Sequence, residues 1–215
     1  MGRKYASIHI PVQTDSNPLE SVKKYYADMR KSQNQMQCAA GVFRDPMVKQ
    51  MFERFHSLSA DKKFLFVSEK FISVYDCSLS FDSVVSAAKK LSKQIFLPVL
   101  YSANFDNSLF IVGVVQAGKT ICKRNIGQYL SSYGLKPQTV KINEIFSVHG
   151  FNRKHSPENS LPLFFHSDNI VECEKSLEQE LDISLYIAED ELINSNDMYM
   201  LISEDMDIVV CTKNM

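Results

Sequence analysis

Hydrophobic residues recur along the chain with the two spacings that separate strands from helices. Short runs in which apolar residues alternate with polar ones, or follow one another without a break, predict strands. Apolar residues three and four positions apart predict amphipathic helices. The first 115 residues contain five strand-like segments, at residues 5–12, 64–67, 71–77, 99–105 and 109–115.

Two main helices are predicted between these strands. The first begins at Pro18 behind a polar cap and runs to about residue 35, because proline fits the first turn of a helix. The second is capped by Ser80, carries an apolar stripe as far as Ile95 and stops before Pro98. A shorter helix is predicted to begin at Asp45 and Pro46, ahead of the second strand.

Without that inserted helix, residues 5–105 follow the order strand, helix, strand, strand, helix, strand. This is the order of the ferredoxin-like βαββαβ unit. We therefore predict an α+β fold, with a ferredoxin-like antiparallel core and extra strands in residues 1–134. Residues 135–215 would form an acidic α/β extension that packs on the core as one compact unit.

Two of the strands, at residues 64–67 and 109–115, are apolar at both alternating sets of positions. A strand of this kind is covered on both faces of its sheet. The C-terminal 60 residues, the inserted helix or a second copy of the chain in a homodimer could supply the second cover.

The C-terminal part contains weaker patterns. A helix is predicted behind a cap at Ser167 or Asp168, and a terminal hairpin is predicted from residues 198–202 and 208–211. The inner face of the predicted helix would consist of Ile170, Cys173, Leu177 and Leu181.

Five short segments within residues 5–130 carry a resemblance to a known group of proteins. They are Ile8-His-Ile-Pro-Val, Ile72-Ser-Val-Tyr-Asp, Leu91-Ser-Lys, Phe105-Asp-Asn-Ser-Leu and Ala117-Gly-Lys. Their layout resembles that of an uncharacterised bacterial α+β family with this order of strands and helices. The resemblance implies the fold, and it implies no activity and no site residues.

Composition bounds the class of protein. A chain of 215 residues with 45% hydrophobic residues can bury one sizeable core. No segment reaches the roughly 18 apolar residues of a membrane helix, and the first residues lack the apolar run of a signal peptide, so we predict a cytoplasmic protein without a membrane contact. The five dispersed cysteines argue against a disulfide framework or a zinc ribbon.

Charge is distributed unevenly although the net charge is −1. Residues 1–155 contain 22 Lys and Arg against 11 Asp and Glu, whereas residues 156–215 contain 2 against 14. The acidic part could lie over the basic part of the same molecule, or it could receive a basic partner.

Residues 113–120 match the phosphate-binding pattern Gly-x4-Gly-Lys-Ser/Thr in full. In that pattern Gly113 and Gly118 would free backbone amides for a phosphate, Lys119 would neutralise its charge, and the Thr120 hydroxyl would hold magnesium. The pattern predicts, as an alternative function, a nucleotide-binding enzyme that uses ATP or GTP with Mg²⁺.

The surrounding residues favour a different backbone path. Val114 and Val115 are β-branched, so they extend a strand more readily than they curve around a phosphate. Gly127 weakens the helix that should follow the motif. We therefore predict a β-hairpin with Ala117-Gly118 at its turn.

Four residues have side chains that transition metals bind: His149, His155, His166 and Asp168. Their spacing matches no established ligand pattern, and loop polarity or helix capping explains them equally well. We predict no metal site and no catalytic residue, and these four stay as candidates.

The remaining function classes are separated by charge and by strand composition. Lysines such as Lys23, Lys24, Lys89, Lys90 and Lys93 would face outward on the helices, but no strand has the aromatic and basic composition of an RNA-binding sheet, which argues against nucleic acid. We predict a non-catalytic binding or assembly protein without a cofactor. The acidic C-terminal part would bind a protein partner, mediate self-association, or close on the core as an intramolecular latch.

Overall fold

The computed structural model of the chain describes residues 4–13, 18–28, 63–76, 79–140, 142–152, 168–188 and 199–202. Its strands are β1 (Lys4–Pro11), β2 (Lys63–Val67), β3 (Phe71–Asp76), β4 (Val99–Phe105), β5 (Leu109–Gln116), β6 (Lys119–Gly127), β7 (Gln138–Val140) and β8 (Tyr199–Ile202). Six of them, β1 to β5 and β8, lie close to predicted segments, β6 continues the predicted hairpin, and β7 was not predicted.

All eight strands belong to one sheet, in the order β7-β6-β5-β4-β1-β3-β2-β8, and every neighbouring pair is antiparallel. The predicted α+β class is confirmed. The ferredoxin-like order is not confirmed for the sheet as a whole, because three strands extend it beyond β4 and one extends it beyond β2. Because tight turns connect β4 to β5 and β5 to β6, each new strand pairs with the one before it and the sheet extends beyond β4.

Three α-helices are described: α1 over residues 18–28, α2 at Phe81–Ile95 and α3 at Ile170–Leu181. Two 3-10 helices lie at Leu130–Tyr133 and Ile142–Ser147. The predicted cap of α2 is confirmed, since the Ser80 side chain accepts a hydrogen bond from the Ser83 amide. The cap of α3 is Asn169, one residue after the predicted Asp168, and its side chain accepts from the amides of Val171 and Glu172. The other predicted cap, Ser167, lies outside the described residues.

Helices cover both faces of the sheet. We name the face with Ile8 and Ile10 the first face. The apolar stripes of α1 and α2, which include Val22 and Leu91, pack against it. The opposite, second face is covered by the 3-10 helix Ile142–Ser147, by α3 and by the chain that follows α3. For the apolar strand β5 the predicted second cover is therefore supplied by the C-terminal part of the same chain. In β2 the cover is partial, since Phe64 and Leu65 are buried and Val67 is 43% exposed.

Two predicted elements lie outside the described residues, namely the helix at Asp45-Pro46 and the strand at residues 208–211. The first strand of the predicted terminal hairpin is present as β8, which pairs with β2 at the edge of the sheet. Among the described helices, none has the length and apolar character needed to cross a bilayer.

Candidate functional site

Residues 113–120 form a strand, a two-residue turn and a returning strand. Gln116 pairs with Lys119 across the turn, and the two turn residues, Ala117 and Gly118, have φ values of 49° and 78°. Positive φ at both positions is typical of the type I′ turn, whose twist matches that of the flanking strands. Lys119 is exposed at the start of β6, and Thr120 follows it in the strand.

Each glycine of the motif has a structural role in this hairpin. A Cβ atom at Gly113 would lie 2.5 Å from the Tyr101 hydroxyl oxygen and 2.6 Å from the Cys122 carbonyl oxygen, so only glycine fits beside the facing tyrosine. The Gly118 amide donates a hydrogen bond of 3.1 Å to the Ser92 hydroxyl of α2, which ties the turn to the helix.

This geometry differs from that of a phosphate loop, in which a strand leads through a loop into a helix. Here Val114 and Val115 are fully buried in β5, and the Gly118 amide is bonded to Ser92. The alternative prediction placed nucleotide binding at Gly113, Gly118, Lys119 and Thr120 on a loop that these residues do not form. The β-branched valines explain the difference, because they favour extended backbone.

The four metal candidates are not brought together within the described residues. The Nδ1 atom of the exposed His149 is 3.1 Å from the side-chain amide nitrogen of Gln13. Asp168 instead faces Arg124. His155 and His166 lie outside the described residues. The described part of the chain contains no cluster of three His, Cys, Asp or Glu residues placed to hold a metal ion.

A row of polar side chains crosses the centre of the second face. His9 of β1 lies opposite Ser73 of β3, and its Nδ1 is 2.8 Å from the Ser73 hydroxyl oxygen. The Nε2 atom of the same ring is 3.0 Å from the Ser7 hydroxyl, which is itself 2.8 Å from the hydroxyl of Ser102 on β4. These four side chains therefore connect three adjacent strands, and we call them the polar row.

The polar row is a neutral network. His9 has no exposed surface, and burial lowers the pKa of its imidazole from 6.5 to about 3. One ring nitrogen therefore donates and the other accepts at neutral pH. Because each nitrogen already faces a hydroxyl, the network satisfies buried polar groups and specifies the alignment of β1 with β3.

A second buried polar contact joins the sheet to α3. Tyr5 and Asn104 are opposite each other on β1 and β4, and both donate hydrogen bonds of 2.6 Å to the same carboxylate oxygen of Glu174. Burial, and then the charge of Glu174, raises the pKa of Tyr5 well above its usual value. Tyr5 therefore remains a donor, and Glu174 is the acidic residue that anchors α3 on the core.

The chain after α3 continues across the second face. Leu185 is fully buried there, and its amide donates a hydrogen bond of 2.7 Å to a carboxylate oxygen of Glu178. The Tyr75 hydroxyl donates to the Ser184 carbonyl at 2.7 Å, and the Tyr186 ring lies 5.4 Å from that of Tyr5. We call α3 together with residues 182–187 the cover.

Two ion pairs lie at the margin of the cover. Lys70 beyond β2 is 2.8 Å from Asp182, and both side chains are about half exposed. Arg124 of β6 is 3.5 Å from Asp168, whose side chain is 94% exposed. An exposed ion pair such as Lys70–Asp182 contributes about 0–1 kcal/mol to stability, so the apolar contacts of the cover contribute more than this pair does.

The two described cysteines are buried thiols. Burial raises the pKa of Cys122 to about 11 and also raises that of Cys173, although Arg124 beside Cys173 acts in the opposite direction. Both thiols are therefore protonated at neutral pH, the form that is a poor nucleophile.

A cavity of about 640 Å³ opens between β6, β7 and the start of α3. Arg124 lies in its wall and is 5% exposed. The lining contains five side-chain amides and five apolar residues. It consists of Asn107, Arg124, Asn125, Ile126, Gly127, Gln128, Leu130, Pro137, Gln138, Thr139, Asp168, Asn169, Ile170 and Val171.

Sequence reasoning missed both the polar row and Arg124. The same feature of the sequence could have revealed both. In each case polar residues occupy buried positions of a strand. Ser7 and His9 alternate with Ile8 and Ile10, and Arg124 takes an inward position on β6. In a sheet covered on both faces, such residues must be satisfied by partners.

The fold and these sites define an α+β protein with a large antiparallel sheet between helical layers. Comparison of the chain with protein-family models, with curated proteins and with solved structures finds no match in any of the three.

Proposed function

We propose that this chain is a non-catalytic binding protein in which the acidic C-terminal part acts as an intramolecular cover of the sheet. The observation that carries the proposal is the packing of α3. Cys173, Leu177 and Leu181 are buried against the second face, while Glu174 accepts hydrogen bonds from Tyr5 and Asn104. Burial of each large aliphatic side chain contributes about 1.5–3 kcal/mol, so the cover is a stable part of the fold.

Two groups can be distinguished among the acidic residues in and just before α3. Glu174 and Glu178 face inward and bond to the core and to the chain after the helix. Asp168, which precedes the helix, and Glu172 in its first turn are exposed. The exposed group supports a second element of the proposal, a surface for a basic protein partner or for self-association, whose affinity would fall with salt.

Two finer structural assignments accompany this proposal. The inner strands β4-β1-β3-β2, with α1 following β1 and α2 following β3 on the first face, support a ferredoxin-like core in residues 1–134. The thiols of Cys122 and Cys173, which form no disulfide, support a cytoplasmic location, where thiols stay reduced.

Salt should have little effect on the cover. We expect the amide of Leu177 to exchange with solvent at nearly the same rate between about 0.05 and 1 M sodium chloride, because apolar burial and not exposed charge holds α3. Hydrogen exchange of the full chain, with the amide of Leu91 in α2 as the internal control, measures this. A steep loss of protection in α3 alone would show an electrostatic latch in place of an apolar cover.

Nucleotides are expected to leave the protein unchanged. The alternative function rests on the pattern of residues 113–120, and its Gly118 amide is bonded to Ser92. Titration of the full chain with ATP or GTP and magnesium should therefore give no saturable signal. A saturable signal that is lost in Lys119→Ala and retained in Lys123→Ala, a lysine of the same strand, would restore the nucleotide-binding enzyme.

A further inference from the structure

Lysines on α2 and at the β5–β6 turn lie together on one part of the surface. Lys90 and Lys93 are exposed on α2, and Lys89 is partly buried one turn before Lys93. Lys119 is exposed directly after the turn. A Cβ atom at Gly118 would lie 3.7 Å from the Lys93 Cβ and 3.7 Å from the Lys89 carbonyl oxygen, so the turn lies against this part of the helix. We call the four lysines the basic patch.

The basic patch has no acidic partner in the part of the chain that the structure describes. The ion pairs of the described lysines lie elsewhere, at Lys23, Lys63 and Lys70, and none of the four lysines of the patch takes part in one. Cations that lie together without carboxylates raise the local positive potential. The patch therefore attracts an anion with several charges.

The backbone under the basic patch is fixed by one serine. The Ser92 hydroxyl accepts a hydrogen bond of 3.1 Å from the Gly118 amide and donates one of 3.1 Å to the Lys89 carbonyl. The turn and the helix are therefore held in one arrangement, and only the lysine side chains have to become ordered when a ligand binds. Such preorganisation lowers the entropic cost of binding.

An exposed aromatic ring lies beside the basic patch. Phe96 ends α2 three positions after Lys93 and is 77% exposed. Its backbone is left-handed, with a φ of 60°, and its amide donates a hydrogen bond of 3.1 Å to the Ser92 carbonyl. Glycine is the usual residue in this position because it has no Cβ. A phenylalanine that neither suits its backbone nor packs in the core is typical of a residue that serves binding.

Charge differs between the two sides of the sheet. The helix α2, with three lysines of the basic patch, covers the first face, whereas the exposed carboxylates of Asp168 and Glu172 belong to the start of α3 over the second face. A polyanion is therefore attracted to the side of α2 and repelled from the start of α3.

We propose that the basic patch and Phe96 bind single-stranded nucleic acid, with lysines on phosphates of the strand and one base stacked on the Phe96 ring. A single strand carries both groups that this surface can bind, an anion at each nucleotide and a flat aromatic face. An acidic peptide would supply only the anions. In a duplex the bases are stacked on one another, and their faces are closed to the ring.

This function goes beyond the proposed cover, because the surface lies on the first face and the cover on the second. The sequence argued against an RNA-binding sheet, and the surface proposed here consists of a helix end and a turn. ATP and GTP carry a single base and one short run of phosphates, so they engage only part of it, and no saturable signal is expected from them. Amide exchange at Leu177 tests the cover, and titration with oligonucleotides tests this surface independently.

The first test is a titration with the full-length protein. A labelled oligothymidylate of about 12 nucleotides lies within the usual site sizes of about 4–16 nucleotides, and fluorescence anisotropy follows its binding. An oligouridylate and a DNA duplex of the same length, and polyglutamate, are the comparison probes. We expect saturable binding of at least one of the two single strands, and weaker binding of the duplex and of polyglutamate. The logarithm of affinity should fall with the logarithm of salt concentration with a slope of about −3, at about −0.7 for each phosphate contact.

Replacement of Phe96 separates stacking from folding. Glycine suits the left-handed backbone, so Phe96→Gly should be at least as stable as the natural chain. Loss of the stacked base should weaken binding about 5- to 150-fold. Phe96→Tyr keeps the ring and should keep nearly the natural affinity. Tyr129→Ala removes another exposed aromatic ring and is the matched control.

Replacement of lysines tests the electrostatic part. Lys93→Gln and Lys119→Gln should each weaken binding and make the salt slope shallower by about 0.7, because each removes one phosphate contact. Lys175→Gln removes an exposed lysine of α3 and should leave both the affinity and the slope nearly unchanged.

Five results would overturn the proposal. They are no saturable binding of either single strand, an affinity that salt does not change, equal affinities of Phe96→Gly and the natural chain, an equal loss in Phe96→Gly and Phe96→Tyr, and binding of the duplex or of polyglutamate as tight as that of the single strand. The last result would show a general polyanion surface or a surface for an acidic protein.

Discussion

Acidification from pH 6.5 to pH 4.5 should lower the free energy of unfolding by about 2.3 kcal/mol through His9 alone, because a fully bound proton contributes about 1.36 kcal/mol per pH unit and the unfolded histidine is half protonated at pH 6.5. Burial lowers the pKa of His9 from 6.5 to about 3 in the native protein. Between these two values the unfolded chain binds a proton that the native chain excludes, so stability falls as the pH falls. The loss begins near pH 6.5 and ends near pH 3.

Denaturant unfolding at a series of pH values measures this effect. His9→Gln is the informative variant, because glutamine can donate and accept hydrogen bonds toward Ser7 and Ser73 without titrating. Its unfolding free energy should depend less steeply on pH than that of the natural chain, whatever its stability at pH 7. His149→Gln, which replaces an exposed histidine, is the matched control variant. Equal slopes in His9→Gln and the natural chain would show that His9 does not exclude the proton.

Truncation of Leu177 to alanine should destabilise the protein by about 2–5 kcal/mol, the usual cost of removing a large aliphatic side chain from a core. Leu177 is fully buried between α3 and the second face. Val171 lies on the same helix and is 37% exposed, so Val171→Ala should cost less than about 0.5–1 kcal/mol. Chemical denaturation of both variants measures the difference.

Hydrogen exchange in Leu177→Ala then shows how the cover is coupled to the sheet. If α3 and the core unfold as one unit, protection should decrease equally in α3 and in β5. If the cover opens alone, protection should be lost in α3 while the amides of β5 keep theirs. A Leu177→Ala variant as stable as the natural chain would contradict the packing of α3 on the sheet, and with it the proposed cover.

The prediction of elements depended on local patterns, and those patterns were sufficient for β1 to β5 and for α2. Pro98 and Ser80 mark the ends of α2 by local chemistry, and the hairpin at Ala117-Gly118 follows from the valines before it. The strands at the two edges of the sheet, β7 and β8, were harder to predict and to place. β7 has three residues, and the strand β8 pairs with β2, which lies more than 130 positions earlier in the sequence.

The candidate sites were harder to predict than the elements, because they consist of contacts between residues far apart in the sequence. In the sequence, Glu174 is one of several glutamates on a predicted helix. In the structure it accepts hydrogen bonds from Tyr5 and Asn104, which are 169 and 70 positions away in the chain. No local spacing reveals such a partner. Cys173 and Arg124 are likewise 49 positions apart, and only the packing of α3 on β6 brings them together.

By itself, the amino-acid sequence determined the approximate bounds of β1 to β5 and of α2, and it favoured a hairpin over a phosphate loop at residues 113–120. The physical reason is local, since β-branched side chains, caps, prolines and residues suited to positive φ act through the backbone of their immediate neighbours. The tertiary structure alone decided that His9 is a buried neutral link between strands, that Glu174 anchors the cover, and that Arg124 lies in the wall of a cavity. Each of these depends on which strands are neighbours and on what packs above them, because burial and pairing are properties of residues brought together from distant parts of the chain.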